Sequence, residues 1–153
     1  ERMTTVVDTV EELRGLVGSD LGSSNWVEID QARINTFADA TDDHQWIHVD
    51  PERAKTGPFG TPVAHGYLTL SLLIPMWSEI LDVKEVTARV NYGLGKVRFP
   101  APVPVGSKVR TTATLAGVEE VPGGAQLTID AVIEIDGGAK PACVAQMVVR
   151  FLR

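Results

Sequence analysis

Three acids and two of the chain's three histidines fall within Thr41–Pro51, TDDHQWIHVDP. His44 and His48 are four residues apart, so a helix would bring them to one face as in zinc-binding pairs. No cysteine pair and no third ligand at a diagnostic spacing accompany them, so the composition supplies no metal set. Asp43 and His48 are five apart and diverge on a helix or a strand, and only a bent loop lets them converge. A carboxylate and an imidazole sharing one water could make it a nucleophile and return a proton, which contributes about 10² to 10⁴ in rate. A solvated polar turn is the plain alternative. Further on, His65-Gly66 stands where an apolar run begins. The first N–H groups of a helix there, together with its dipole, would favour a developing negative charge, and a glycine would admit a carbonyl close to the backbone.

These residues need a scaffold. The 153 residues, 44% hydrophobic and 22% charged, are one domain's worth and enough for a self-sufficient core. A net charge of -6 argues against a general nucleic-acid binder, which needs a positive face. No apolar run is long enough for a membrane span. The single cysteine, Cys143, cannot pair within the chain, and no signal-peptide pattern opens it, so cytoplasmic residence is expected.

The pattern predicts one domain over 1–153. A short helix is expected at about 7–17, then a strand at 26–29 and a helix from the N-cap Asp30 to Thr41. Residues 51–62 are expected to be mostly irregular, with one possible helical turn at 51–55. The stretch from Ala64 to Leu81 is apolar on nearly every side, which predicts an enclosed central helix. Beyond it, alternation predicts long antiparallel strands at 87–99, 107–121, 125–136 and 140–152, taken as consecutive neighbours, with a bulge at Gly95. A long helix followed by a bent antiparallel sheet that wraps it is α+β, and fits a hot-dog fold. The open sheet edge and one end of the helix would then need a partner, so a homodimer is expected.

The residues Phe37-Ala38 through Asp43, Gln45, Ile47, His48 and Asp50, then Ala54, Gly57 and Ala64-His65-Gly66-Tyr67-Leu68-Thr69-Leu70-Ser71, resemble the MaoC-like dehydratases. The likeness extends through Lys96–Pro100 and Pro104–Ser107, and is greatest to short mycobacterial (R)-specific enoyl-CoA hydratases and nodulation-protein-N-like members. It implies (R)-specific hydration of a trans-2-enoyl-CoA, or of an acyl carrier protein thioester, without metal or cofactor. By the same resemblance Asp43 and His48 are the catalytic dyad and Gly66 offers its N–H to the thioester oxygen. Ser71 then helps hold the water, while Gln45 and His65 belong to the substrate side. The chain departs from the family's spelling at Asp42 for Gly, Gln45 for Asn and Trp46 for Pro, and Trp46 is expected to reshape the pocket wall. The alternatives are a hot-dog thioesterase, which needs an acid on the central helix, and a non-catalytic acyl-thioester-binding protein.

Overall fold

The computed structural model describes residues 2–153. After β1 (Thr5–Val7) comes a 3-10 helix (Glu11–Leu16), then β2 (Asp20–Ser23) and β3 (Val27–Ile29). Three helices follow, α1 (Gln31–Thr41), α2 (Trp46–Val49) and α3 (Pro51–Ala54), and then α4 (Gly66–Trp77). The chain closes with β4 (Leu81–Val83), β5 (Ala88–Arg98), β6 (Ser107–Val121), β7 (Gly124–Ile135) and β8 (Cys143–Leu152).

The six-stranded antiparallel sheet runs β2-β6-β7-β8-β5, with β3 also on β6. Its inner face follows the alternation in the sequence. Leu127, Ile129, Ala131 and Ile133 of β7 are buried, as are Ala145, Met147, Val149 and Phe151 of β8. They meet Leu68, Leu72, Leu73, Met76 and Trp77 of α4 in one core, so the sheet wraps the helix as a hot-dog fold requires. Gly95 sits in a register shift between Leu94 and Val97, and a Cβ there would strike Gln146 Oε1 at 2.4 Å. The bulge lies where the parity change placed it.

Four expectations are corrected. β5 does not neighbour β6 but pairs β8 at the far edge of the sheet. The connection after it holds Pro100, Pro102 and Pro104, which lack N–H donors and hold their predecessors extended, so it crosses instead of turning back. The N-terminal segment is a strand and a 3-10 helix in place of a helix over 7–17, because β1 pairs in parallel with β4. The central helix stops at Trp77, and Leu81 and Val83 are buried in β4. Nor is that helix enclosed: Tyr67 is 74% exposed and Ile74 40%.

Candidate active site

Asp30 caps α1 by accepting from the Arg33 backbone N–H at 2.8 Å. The helix ends at Asp42, whose φ of 61° and ψ of 18° are left-handed, the one non-glycine residue with positive φ among those described. A glycine is the ordinary occupant of such a helix end, which explains the family's usual Gly at this position. The turn frees Asp43, whose carboxylate accepts from the Gln45 N–H at 3.4 Å. One turn of helix, α2, then carries His48 back toward it. Asp50 ends that turn and caps α3 through Arg53 N–H at 3.1 Å. The convergence that neither a helix nor a strand would allow is made by a left-handed turn followed by a single helical turn.

His48 is buried and held on every side. Its backbone N–H donates to Gln45 O at 3.0 Å, and its carbonyl accepts from Gln31 Nε2 at 2.8 Å. Its ring Nδ1 lies 2.6 Å from Val63 O. A carbonyl can only accept, so Nδ1 carries the proton and Nε2 presents a lone pair in the neutral ring. Burial lowers the His48 pKa from 6.5; the Val63 bond opposes it, the neighbouring His65 lowers it further and Asp43 raises it. The fold therefore keeps a neutral base.

His65 is 3% exposed, and its Nε2 lies 2.9 Å from the backbone oxygen of Asp43. By the same argument Nε2–H donates there, leaving Nδ1 as an acceptor, buried and without a partner. The His65 ring packs on His48 and against Phe37. His65 thus backs His48 and holds the Asp43 backbone, and it is not among the residues that line the cavity beside His48.

One carboxylate oxygen of Asp43 and one ring nitrogen each of His48 and His65 lie within 4.8 Å of one another. That donor set would suit a transition metal by type. The two imidazoles, however, are stacked, with planes only 24° apart, so no point lies in the plane of both at bonding distance. His44 stands apart, its Nε2 2.9 Å from Asp39 Oδ1 on the surface, because the helical turn begins only at Trp46.

Beside His48 opens a cavity of about 350 Å³, lined among others by Phe59, Val63, Gly66, Thr69 and Phe99. Gly66 is the first residue of α4, so its N–H lacks an acceptor within the helix. A Cβ on it would meet the Phe99 ring at 3.4 Å, so glycine keeps the approach open. The cavity wall is apolar apart from His48, Thr69 and this helix end. Apolar walls with a few placed polar groups suit an acyl chain ending in a reactive carbonyl.

Two other predicted residues are placed elsewhere. Ser71 Oγ donates to Tyr67 O at 2.7 Å and faces a separate groove with Asn91 and Leu94. The structure does not bring it to the dyad within the chain. Gln45 is exposed and serves as the N-cap residue of α2. Trp46 does not line the cavity. It packs over Gly57, where a Cβ would lie 2.7 Å from its ring, and under the Arg53 guanidinium at 4.4 Å. Trp46 therefore braces the segment after α3 and takes no part in the pocket wall. The residue that sequence reasoning missed is Thr69, which lies one helical turn beyond His65 and was legible only as part of an apolar run.

A family model described as MaoC like domain matches residues 12–134. The 3-hydroxyacyl-thioester dehydratase Z of Mycobacterium tuberculosis is 54% identical over 146 residues, covering 95% of this chain and 97% of that protein. Nodulation protein N of Rhizobium meliloti is 43% identical over 143 residues, covering 92% and 89%. Among solved structures, the (R)-hydratase from A. caviae involved in PHA biosynthesis superposes with a TM-score of 0.72 at 25% identity, covering 87% of this chain and 94% of that one. A shared hot-dog scaffold and a family match across most of the length make this chain a member of the MaoC-like dehydratase family.

Proposed function

We propose that this enzyme, a hydro-lyase, adds water across the double bond of a trans-2-enoyl thioester to give the (R)-3-hydroxyacyl thioester, and removes it in reverse. The observation that carries this reading is His48, held neutral with Nδ1–H on Val63, beside Asp43 and at the edge of an apolar cavity that also receives the start of α4. A water between Asp43 and His48 loses a proton to His48 Nε2, and its oxygen bonds to C3 of the substrate. The π pair moves to the thioester oxygen, where Gly66 N–H and the helix dipole meet the charge. As the carbonyl reforms, C2 takes the proton that His48 Nε2 holds, and the dyad returns to its starting state. The thioester itself makes C3 electrophilic, so the chemistry requires neither metal nor organic cofactor.

The thioester class and the (R) hand are supported by the names of the mycobacterial dehydratase and the A. caviae hydratase. Acyl-CoA is the substrate carried forward, with a carrier-protein thioester as the variant of the same chemistry. Cleavage of the thioester has nothing on α4 to carry it. Gly66–Trp77 contains no acid, and Glu79 beyond it is engaged by the Asn25 side chain at 2.8 Å.

A homodimer belongs to the same proposal. Tyr67 and Ile74 on the outer side of α4 and Val90, Tyr92 and Leu94 on the edge strand β5 are all at least 40% exposed, and a second copy would cover them. The reading extends to a single hot-dog domain in the cytoplasm, which the unpaired, buried Cys143 favours. No helix among the described residues is long and apolar enough to cross a membrane.

The test follows trans-2-butenoyl-CoA by its conjugated absorbance and by thiol release in the same sample. Loss of absorbance without thiol release, with (R)-3-hydroxybutyryl-CoA as product, is expected. Thiol release alone would replace the reading with a thioesterase, and binding without either change would replace it with a carrier.

A further inference from the structure

The other Ser and Thr side chains of α1 and α4 share one habit. Thr36, Thr41 and Ser71 each donate to the carbonyl four residues back, at 2.9, 2.8 and 2.7 Å. Thr69 breaks it. It is 1% exposed and its Oγ1 is buried without a partner, although its own N–H reaches the His65 carbonyl at 3.2 Å. A valine would fill the same volume without an unmatched hydroxyl, so the buried O–H is a cost that the chain carries in its apo form.

Its position supplies a use. Thr69 lines the cavity shared by His48 and Gly66. A helical side chain leans toward the N-terminus and covers the preceding turn, so Thr69 lies over the turn that begins at Gly66. Threonine in a helix has two accessible χ1 wells, and a rotation between them redirects the hydroxyl. The acceptor absent from the protein is one that a ligand would bring.

Resting on the hydration reading above, we infer that Thr69 is a second oxyanion donor: its Oγ1–H, rotated into the cavity, joins Gly66 N–H on the oxygen of an α,β-unsaturated thioester. When the water oxygen bonds to C3 and the π pair reaches that oxygen, two donors receive the charge. When the carbonyl reforms, C2 takes the proton that His48 accepted from the water, and both donors are released unchanged. Ligands that offer a carbonyl at this point would gain the hydrogen bond, whereas a saturated acyl chain without one would not.

The experiment compares Thr69→Val and Thr69→Ser with the wild type. Thr69→Val should lower kcat by about 10²-fold with KM within a few-fold, the loss typical of one oxyanion donor, while its melting temperature stays level or rises. Thr69→Ser should stay within a few-fold of wild type. A purely structural threonine would show the reverse, with lower stability and unchanged kcat. A second readout needs no turnover. In an Asp43→Asn background, the infrared stretch of a ¹³C-labelled thioester carbonyl in bound trans-2-butenoyl-CoA should lie below its solution value. Adding Thr69→Val should move it back toward solution. Equal frequencies with and without the hydroxyl, in a protein that binds and hydrates the thioester, would overturn the role of Thr69 alone. Failure of the wild type to bind or hydrate it would overturn the functional reading and this inference together.

Discussion

The imidazoles of His48 and His65 stack with ring centroids 3.9 Å apart and planes 24° from parallel. Each ring donates its N–H to a backbone carbonyl, His48 to Val63 and His65 to Asp43. The pair therefore ties three segments together: the turn after α1, the single helical turn α2 and the start of α4. Placing a positive charge on His48 would bury it against a second imidazole, and its hydrogen bond to Val63 is already made by the neutral ring.

The first consequence concerns pH. Burial is the largest cause lowering the His48 pKa from 6.5, so the acidic limb of kcat/KM should fall at a pH below that value. The same shift bears on stability. A depressed folded pKa means that the unfolded chain binds the proton first, so His48 favours the folded state fully above about pH 6.5 and less as pH falls through its folded pKa. Chemical denaturation at a series of pH values checks this, and a stability that rises between neutral and mildly acidic pH would contradict it.

Replacing the stacked partner separates positioning from packing. His65→Phe keeps an aromatic ring against His48 but removes the donor to Asp43 O. It should cost about 1 kcal/mol, the net contribution of one hydrogen bond, and lower kcat about tenfold with little change in KM. Because His65 depresses the pKa of His48, the acidic limb should also move to higher pH. An unmoved limb with an unchanged kcat would reduce His65 to a packing residue.

Asp42 holds a left-handed conformation that costs a non-glycine side chain about 1 kcal/mol. Asp42→Gly should relieve part of that, offset by the greater freedom of glycine in the unfolded chain. The expected net gain is about 0.5 kcal/mol, or roughly 1–2 °C in melting temperature for a chain of this size. Calorimetry checks the sign.

Much of this arrangement was legible in the residues themselves. The five-residue spacing of Asp43 and His48 demanded a bent loop, and the structure supplies one. The shift of apolar parity around Gly95 located a real bulge, because a change of face leaves a one-residue signature. What escaped depends on contacts distant in sequence. That β5 lies beside β8 is a matter of where the proline-rich connection leads, and nothing within either strand encodes it. Ser71 and Thr69 are two residues apart on one helix, and only the packed orientation of α4 decides which of them lines the cavity beside His48. Trp46 looked like a pocket wall because it replaces the family's usual Pro in the loop that carries His48, yet a helical turn sends nearby side chains in different directions, and Gly57 makes room for it. The stacking of His65 on His48, seventeen residues apart, could not be read from either alone.

If Asp43 and His48 activate water for addition to an enoyl thioester, Asp43→Asn should remove that activity from a folded protein. The substitution is nearly isosteric at an exposed position, so circular dichroism and melting temperature should be unchanged. The initial rate of absorbance loss with trans-2-butenoyl-CoA should fall at least 10²-fold relative to wild type. Undiminished hydration in a folded Asp43→Asn protein would contradict the account.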